Sequence, residues 1–240
     1  MSSRAKSRMT AEGGSGGSRV VLITGASSGI GRAVAHRLAA AGARLVLSSR
    51  SGGALSAVAA ECRERGTASE DVLTITADVR DAAAVEDLVA AAVSRFGRVD
   101  AAVHSAGALA YGRFVDLPGE VFDATVATNL GGTSHVARAA LRQFENQGAG
   151  HLVLVGSVLG KIAAPTMSAY GTTKMGHSRF GPHLATRAAG NTRHQRLPGL
   201  TRWRGHPHLP AGGHLHRQAR RATPTGCHSR RGCCGDREDP

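Results

Sequence analysis

The chain has 240 residues, with 30 Lys and Arg against 17 Asp and Glu, and a formal net charge of +13. This length suits one α/β domain with a sizeable core and argues against two domains. No segment is long and apolar enough to span a membrane, and residues 1–18 lack the apolar run of a secretory signal. We therefore expect one domain preceded by a flexible leader at residues 1–18.

The positive charge is concentrated at the C-terminal end. Residues 1–175 hold 18 Lys and Arg against 14 acids, whereas residues 176–240 hold 12 Arg, no Lys and 3 acids. The same tail contains no Val, Ile, Tyr or Met, and buried strands are hard to build without β-branched aliphatic residues. We expect residues 176–240 to be a basic tail of low order.

Cys62 is the one cysteine before the tail, which favours a reducing compartment and hence the cytoplasm.

Between residues 19 and 175, short apolar runs alternate with segments of helical periodicity. The predicted strands and helices follow one another as strand 20–23, a helix carrying Ile30, Val34 and Leu38, strand 45–47, helix 53–65, strand 72–76, helix 82–96, strand 99–104, helix 120–144, strand 151–155 and a helix beginning near 168. Continuous apolar strands joined by helices indicate a parallel sheet covered on both faces. The sequence predicts a Rossmann-like doubly wound α/β fold whose C-terminal strands are missing or disordered.

A glycine-rich segment, TGASSGIG from Thr24 to Gly31, lies between the first strand and the first helix. At such a turn the backbone N–H groups and the helix N-terminus bind a pyrophosphate. The residues predicted to hold the nucleotide here are Gly25, Ser27, Ser28, Gly29, Ile30 and Gly31.

The end of the second strand predicts which dinucleotide binds. Sites for NAD place an acid about 20 residues after the glycines, where this chain has Ser48, Ser49 and Arg50. A guanidinium can bind the 2′-phosphate of NADP with two hydrogen bonds. We therefore expect NADP(H) in preference to NAD(H), with Arg32 assisting; the alternative is that Arg50 is only a solvated charge.

Taken together, the motifs resemble the short-chain dehydrogenase/reductase family over about residues 19–175. They are TGASSGIG, Asp78-Val79, His104-Ser105-Ala106-Gly107, Asn129, Ser157 and Tyr170-Gly-Thr-Thr-Lys174. Ser157 precedes Tyr170 by 13 residues, as in that family, and Lys174 follows Tyr170 by four. Four residues is one helical turn, which puts the Lys174 ammonium beside the phenol and favours the phenolate.

The resemblance implies a role for each of these residues. Tyr170 would exchange a proton with the substrate, Lys174 would also hold the nicotinamide ribose, Ser157 would bind the substrate oxygen, and Asn129 would organise a water that leads protons to solvent. Asp78 and the Val79 N–H would bind adenine, and Ser105, Ala106 and Gly107 would approach the cofactor. His104 and Ser105 stand where the family usually has two Asn.

By the same resemblance the activity is NADP(H)-dependent interconversion of a carbonyl and a secondary alcohol on a small or medium apolar substrate. Intact members of the family form homo-oligomers through the helices at 120–144 and after 168. Because the substrate pocket of the family is closed by a segment after its sixth strand, which we do not find in the tail, we expect little or no activity from this chain.

The composition of the tail indicates a frameshift near Gly176. Out-of-register reading of GC-rich DNA enriches Arg, Gly, Pro and His and removes Val and Ile. Reading the codons of the tail one base later permits a strand followed by a Pro-Gly-Gly turn. The codons of Trp203 and Arg204 force a Gly of that turn in the shifted frame. Pro198-Gly199 is then not the turn of the family. The sequence therefore predicts three segments: a leader at 1–18, an incomplete dinucleotide-binding domain at 19–175 and an out-of-frame tail at 176–240.

Three other interpretations were open. One is a dinucleotide-binding protein without catalysis, and another is a basic nucleic-acid-binding protein acting through the 12 Arg of the tail. The third is a metal site formed by His206, His208, His214, His216, Cys227, Cys233 and Cys234. Since the tail lacks finger spacing and interleaved aromatic residues, we expect neither a metal nor a specific nucleic acid as partner.

Overall fold

The computed structural model describes residues 18–184 and 200–204, which belong to one compact unit. Most of the leader, the Pro198-Gly199 pair and the His and Cys residues considered as a metal site lie outside the described residues. The strands are β1 Val20–Thr24, β2 Arg44–Ser49, β3 Val72–Thr76, β4 Ala101–His104, β5 Ala149–Leu154 and β6 Leu200–Arg204. Their order across the sheet is β3-β2-β1-β4-β5-β6.

Helices cover both faces of this sheet. They are α1 Gly29–Ala39, α2 Gly52–Glu64, α3 Ala82–Phe96, α4 Gly119–Val126, α5 Gly132–Gln147 and α6 Ser168–Leu184. Alternate residues of β1 point to opposite faces: Val21 and Ile23 pack with α1 and α2, whereas Val20 and Leu22 pack with α3 and α5. The five strands β1–β5 are parallel, so the predicted doubly wound α/β fold is confirmed.

The predicted helix 120–144 is interrupted in its middle. A single π-helical turn, Ala127–Gly131, separates α4 from α5, so that one extra residue is accommodated without ending the helix. Periodicity alone does not reveal such a turn, because the apolar pattern on either side is helical. The turn contains Asn129, which is buried.

Two observations correct the prediction that regular structure stops after Met175. Helix α6 continues to Leu184, so the predicted boundary at 175–176 lies inside a helix. Strand β6 pairs with the edge of β5 and runs antiparallel to it. Unpaired backbone groups of an edge strand can accept an extended segment whatever its side chains, which explains a strand without Val or Ile.

No helix within the described residues combines the length and the apolar character that crossing a membrane requires.

Candidate functional site

The turn between β1 and α1 is glycine-rich because its backbone lies directly against other backbone. Gly25 has a φ of +68°, and a Cβ there would lie 2.5 Å from the Ala106 nitrogen. A Cβ on Gly31 would overlap the Gly25 carbonyl. Any side chain at these two positions would push the chain segments apart. The turn is thereby held against the loop that follows β4, which contains Ser105, Ala106 and Gly107.

The first turn of α1 presents backbone donors to the surface. Its N-cap residue, Ser28, makes no side-chain hydrogen bond to the helix, and the first turn contains no acid. Gly29 has a φ of +50° and open space where a Cβ would point, and Ile30 is exposed. Because N–H groups at a helix N-terminus attract phosphate, these residues and the half-buried Ser27 fit the pyrophosphate of a dinucleotide.

The end of β2 is fixed to both neighbouring loops. The Ser48 carbonyl accepts a hydrogen bond from the Ala26 N–H at 3.1 Å, and the Ser49 carbonyl accepts one from the Ala77 N–H at 3.1 Å. Arg50 follows and is exposed. No acid stands at positions 48–50. Because Thr24 pairs with Ser48, Arg50 follows a strand end that lies beside the glycine-rich turn.

Asp78 and Val79 lie in the loop after β3. Val79 is buried, and its carbonyl lies 2.9 Å from Nδ1 of His135 in α5. The Asp78 carboxylate accepts hydrogen bonds from the side chain and the backbone N–H of Arg80. These bonds hold the pKa of Asp78 below its usual value, and the charge of Arg50 adds to the effect. Arg50 and Asp78 therefore lie near enough for their charges to interact.

Arg32 is engaged elsewhere than at the predicted phosphate. Its guanidinium donates to both carboxylate oxygens of Glu61 in α2, with Nε 2.8 Å from Oε2. His36 Nε2 lies 2.7 Å from the same carboxylate. This cluster joins α1 to α2, a contact that sequence spacing alone does not indicate.

Asn129 links two parts of the site through its side chain. Its Oδ1 accepts from the Ala108 N–H at 2.7 Å, and its Nδ2 donates to the Ala108 carbonyl and to Thr173 Oγ1, both at 2.9 Å. Thr173 in turn donates to the Tyr170 carbonyl at 2.7 Å. The π-helical turn therefore ties the loop after β4 to α6, and three protein hydrogen bonds set the orientation of the amide.

Tyr170 and Lys174 lie together on α6, as their spacing predicts. Lys174 Nζ is 5.6 Å from the centroid of the Tyr170 ring and donates to the Val155 carbonyl at 3.0 Å. Lys174 is only 7% exposed, and this burial lowers its pKa. The ammonium thus sits in a partly dehydrated position between the end of β5 and the phenol.

Ser157 lies in the loop after β5, which packs on the same helix. Its hydroxyl accepts from the Leu159 N–H at 3.2 Å and begins a short 3₁₀ helix, Val158–Gly160. A Cβ on Gly160 would lie 2.8 Å from the Lys174 carbonyl. This close approach brings the loop that carries Ser157 against the turn of α6 that carries Lys174.

His104, at the end of β4, stands where the family usually has Asn. It is buried, and its Nδ1 lies 2.8 Å from Thr24 Oγ1 in β1. Burial, helped by His177 and Lys174, lowers its pKa to about 3. A neutral imidazole therefore replaces the amide and bonds the two central strands.

The sequence reasoning missed three residues of this region, namely Thr173, Arg80 and His177. Thr173 is completely buried inside the YGTTK motif, three residues after Tyr170, and this helical spacing was a usable signal. Arg80 was recognisable only from its place after Asp78-Val79. His177 is 5% exposed, and within the part of the chain that the structure describes neither ring nitrogen has a hydrogen-bond partner; no sequence signal marked it.

The chain is similar to known proteins over the same region. A family profile described as short chain dehydrogenase matches residues 19–192, starting where the motifs predict and ending beyond Met175. The sepiapterin reductase of Chlorobaculum tepidum is 39% identical over 164 residues, which cover 65% of this chain and 66% of that protein. The L-rhamnose 1-dehydrogenase (NAD(P)(+)) of Azotobacter vinelandii is 38% identical over 164 residues, covering 66% of this chain and 62% of that protein.

A solved structure agrees with these sequence matches. An actinorhodin polyketide ketoreductase, solved with NADPH, superposes with a TM-score of 0.66 at 35% identity, over 70% of this chain and 66% of that chain. The chain spans about two-thirds of the length of the relatives it matches, 62–66%. The profile match covers well over half of its residues. The chain belongs to the short-chain dehydrogenase family.

Proposed function

We propose that this chain binds NADP(H) and that its residues 18–184 carry the catalytic groups of an oxidoreductase that interconverts a carbonyl and a secondary alcohol. The observation that carries the proposal is the placement of Tyr170 and Lys174 on one turn of α6, hydrogen-bonded through Thr173 to Asn129. This group lies at the carboxyl ends of β4 and β5, beside the glycine-rich turn that follows β1. In doubly wound sheets, ligands bind at that edge, where the strand order reverses.

Each nucleotide-binding residue has a part that its position supports. The N–H groups of the turn from Gly25 to Gly31 bind the pyrophosphate. Arg50 binds the 2′-phosphate, Asp78 and the Val79 N–H bind adenine, and the backbone from Ser105 to Gly107 lies along the cofactor. Lys174 holds the nicotinamide ribose. The absence of an acid at 48–50 removes the usual acceptor for a free 2′-hydroxyl and favours NADP(H) over NAD(H).

The chemistry follows from the same groups. Bound NADPH would supply the hydride that the carbonyl carbon accepts, a group that no side chain of the chain can provide. Tyr170 gives its phenolic proton to the carbonyl oxygen, and Ser157 donates a hydrogen bond to that oxygen as its negative charge develops. The Lys174 ammonium stabilises the resulting phenolate. Asn129 keeps α6 in register with the loop after β4 and organises the water through which Tyr170 regains a proton.

The loops around these groups favour an apolar substrate. Leu109 and Tyr111, after β4, are 64% and 75% exposed, and Val158 and Ile162, after β5, are 66% and 54% exposed. Exposed apolar side chains on both of these loops support a binding surface there. Small or medium carbonyl compounds with an apolar body fit this lining.

Replacing Arg50 tests the cofactor assignment. We expect Arg50→Ala to weaken NADPH binding about tenfold or more, since a bond between charged groups is lost, and to change NADH binding about twofold at most. Calorimetric titration of both cofactors measures the two dissociation constants. Arg63→Ala, which removes an exposed arginine from α2, is the control. Equal losses for NADPH and NADH would contradict the assignment.

We also propose that the residues after Gly176 come from a shifted reading frame and that full turnover belongs to the restored chain. The buried imidazole of His177, which has no hydrogen-bond partner among residues 18–184 and 200–204, supports this, because a buried helix face normally carries an apolar side chain. The test is to sequence the gene around codon 176 and to assay the frame-restored protein. Renewed reduction of carbonyl compounds is expected. Cofactor binding without turnover would favour a non-catalytic dinucleotide-binding protein.

A further inference from the structure

Arg80 and Asp78 form a closed ion pair at the proposed adenine subsite. The Asp78 Oδ1 accepts from the Arg80 N–H at 2.9 Å and from Nε at 3.1 Å, while Oδ2 accepts from Nε at 2.9 Å and from Nη2 at 2.6 Å. Both oxygens of the carboxylate are thus oriented by one neighbouring residue. The intervening Val79 is buried, and its carbonyl lies 2.9 Å from His135 Nδ1, so the backbone of the pair is fixed as well.

We propose that Arg80 is a positioning residue that holds the Asp78 carboxylate ready to accept a hydrogen bond from the 6-amino group of adenine. The inference rests on the proposed binding of NADP(H). The added residue, Arg80, contacts the Asp78 carboxylate and does not contact the nucleotide itself. Arg80 then determines how strongly the site distinguishes adenine from a base without that amino group.

The acceptor capacity of the carboxylate allows this arrangement. An ionised carboxylate offers about four lone-pair positions. Arg80 supplies only three hydrogens to it, from the backbone N–H, Nε and Nη2, because the single Nε hydrogen is shared between Oδ1 and Oδ2. One acceptor position is left for a ligand. Asp78 and Arg80 are both partly exposed, with side chains 29% and 45% accessible. Without Arg80, an Asp side chain this exposed would sample several rotamers and would lose that freedom on binding. Arg80 removes this entropy cost before the cofactor arrives.

The charge state of the pair determines which base fits. The hydrogen bonds from Arg80 keep the pKa of Asp78 low, so the carboxylate is ionised near neutral pH and accepts without donating. Adenine presents an amino donor at its 6-position, whereas hypoxanthine presents a carbonyl oxygen. Two acceptors facing one another repel. The pair therefore predicts weaker binding of the hypoxanthine analogue of the cofactor.

The chain contains a matched control at the opposite edge of the sheet. Arg98 pairs with Asp100 at the same spacing, with Nε 2.8 Å from Oδ1. Asp100 Oδ2 accepts from the Val20 N–H at 2.9 Å. Val20 begins β1, whereas the glycine-rich turn follows the other end of that strand. Arg98→Ala therefore removes an equivalent ion pair and the same charge without touching the proposed subsite.

The experiment is calorimetric titration of the full chain with NADP⁺ and with its hypoxanthine analogue, for the wild type, Arg80→Ala, Arg80→Lys and Arg98→Ala. We expect Arg80→Ala to weaken NADP⁺ binding about fivefold, the effect of losing about one hydrogen bond, and to leave analogue binding within about twofold. Arg80→Lys should fall between wild type and Arg80→Ala, because an ammonium cannot orient both oxygens. Arg98→Ala should change neither constant.

Several results would overturn the inference. Equal losses for both ligands in Arg80→Ala would mean that Arg80 contacts the nucleotide itself. Unchanged NADP⁺ binding, or analogue binding as tight as NADP⁺ binding in the wild type, would show that the pair does not select adenine. If Arg80→Ala is unfolded by its thermal midpoint, the same comparison in Arg80→Lys decides. Failure of the wild type to bind NADP⁺ or NAD⁺ would overturn the proposed function too, whereas wild-type binding with an unaltered Arg80→Ala overturns only the inference.

Discussion

At the scale of single residues, His177 of α6 carries two unsatisfied polar atoms. It is 5% exposed, and both ring nitrogens are buried without a hydrogen-bond partner among the described residues. We expect His177→Leu to raise the free energy of unfolding by about 1–2 kcal/mol, because an unpaired buried polar group costs about 1–3 kcal/mol. Urea denaturation at pH 7 measures the change. His135→Leu is the control with the opposite sign, since it removes a bond to the Val79 carbonyl; a lower stability of His177→Leu would contradict the interpretation.

The roles of residues that contact their sequence neighbours can be predicted from the sequence. The roles of residues that contact distant parts of the chain cannot. Tyr170 and Lys174 follow from one helical turn. The cap of α3 is equally local, since Asp81 accepts from the Ala83 N–H at 2.8 Å. The pairing of Arg32 with Glu61 depends on how α1 packs on α2, 29 residues away. Sequence alone therefore predicts Arg32 at the phosphate and does not reveal its pairing with Glu61.

At the scale of secondary-structure elements, one hydroxyl connects the π-helical turn to α6. Thr173 is fully buried, accepts from Asn129 Nδ2 and donates to the Tyr170 carbonyl. We expect Thr173→Val, which keeps the shape and removes the hydroxyl, to cost about 1–3 kcal/mol of stability. It should also speed hydrogen exchange of the Ala108 amide, which Asn129 protects.

Two further variants show whether the hydroxyl itself is responsible. Thr173→Ser keeps the hydroxyl and should preserve the protection of the Ala108 amide. Thr172→Val alters the exposed neighbouring position and should change stability by less than about 0.5 kcal/mol. Slow exchange of Ala108 in Thr173→Val would mean that Asn129 holds its orientation without α6.

The strands β1–β5 and the helices between them were predictable because their apolar runs are continuous and their turns carry Gly, Asp or Ser. The π-helical turn at Ala127–Gly131 was not, since one added residue leaves the apolar pattern on both sides helical. Strand β6 was not either, because it depends on the open edge of β5 and not on its own composition. Local sequence thus predicts elements stabilised by their own apolar face, whereas β6 depends on its partner.

At the scale of the whole molecule, two buried imidazoles couple stability to pH. Burial lowers the pKa of His104 to about 3 and that of His177 to about 4, from an ordinary value of 6.5. The charge of Lys174 contributes to both shifts. Between these values and pH 6.5 the unfolded chain binds two protons that the folded chain does not, so stability is fully present above pH 6.5 and is lost as the pH falls.

We therefore expect the free energy of unfolding to fall between pH 6.5 and about pH 4, by about 1.4 kcal/mol per pH unit for each of the two imidazoles where the unfolded chain is fully protonated. Urea titrations at pH 7, 6 and 5 measure the slope. His177→Leu removes one of the two groups and should halve it, and adding His104→Asn, which restores the residue usual in the family, should flatten it. Carboxylates with lowered pKa values, such as Asp78, lose their stabilising effect only at more acidic pH and do not contribute to this slope. A slope that persists in the double variant would therefore show that the two imidazoles are not its cause.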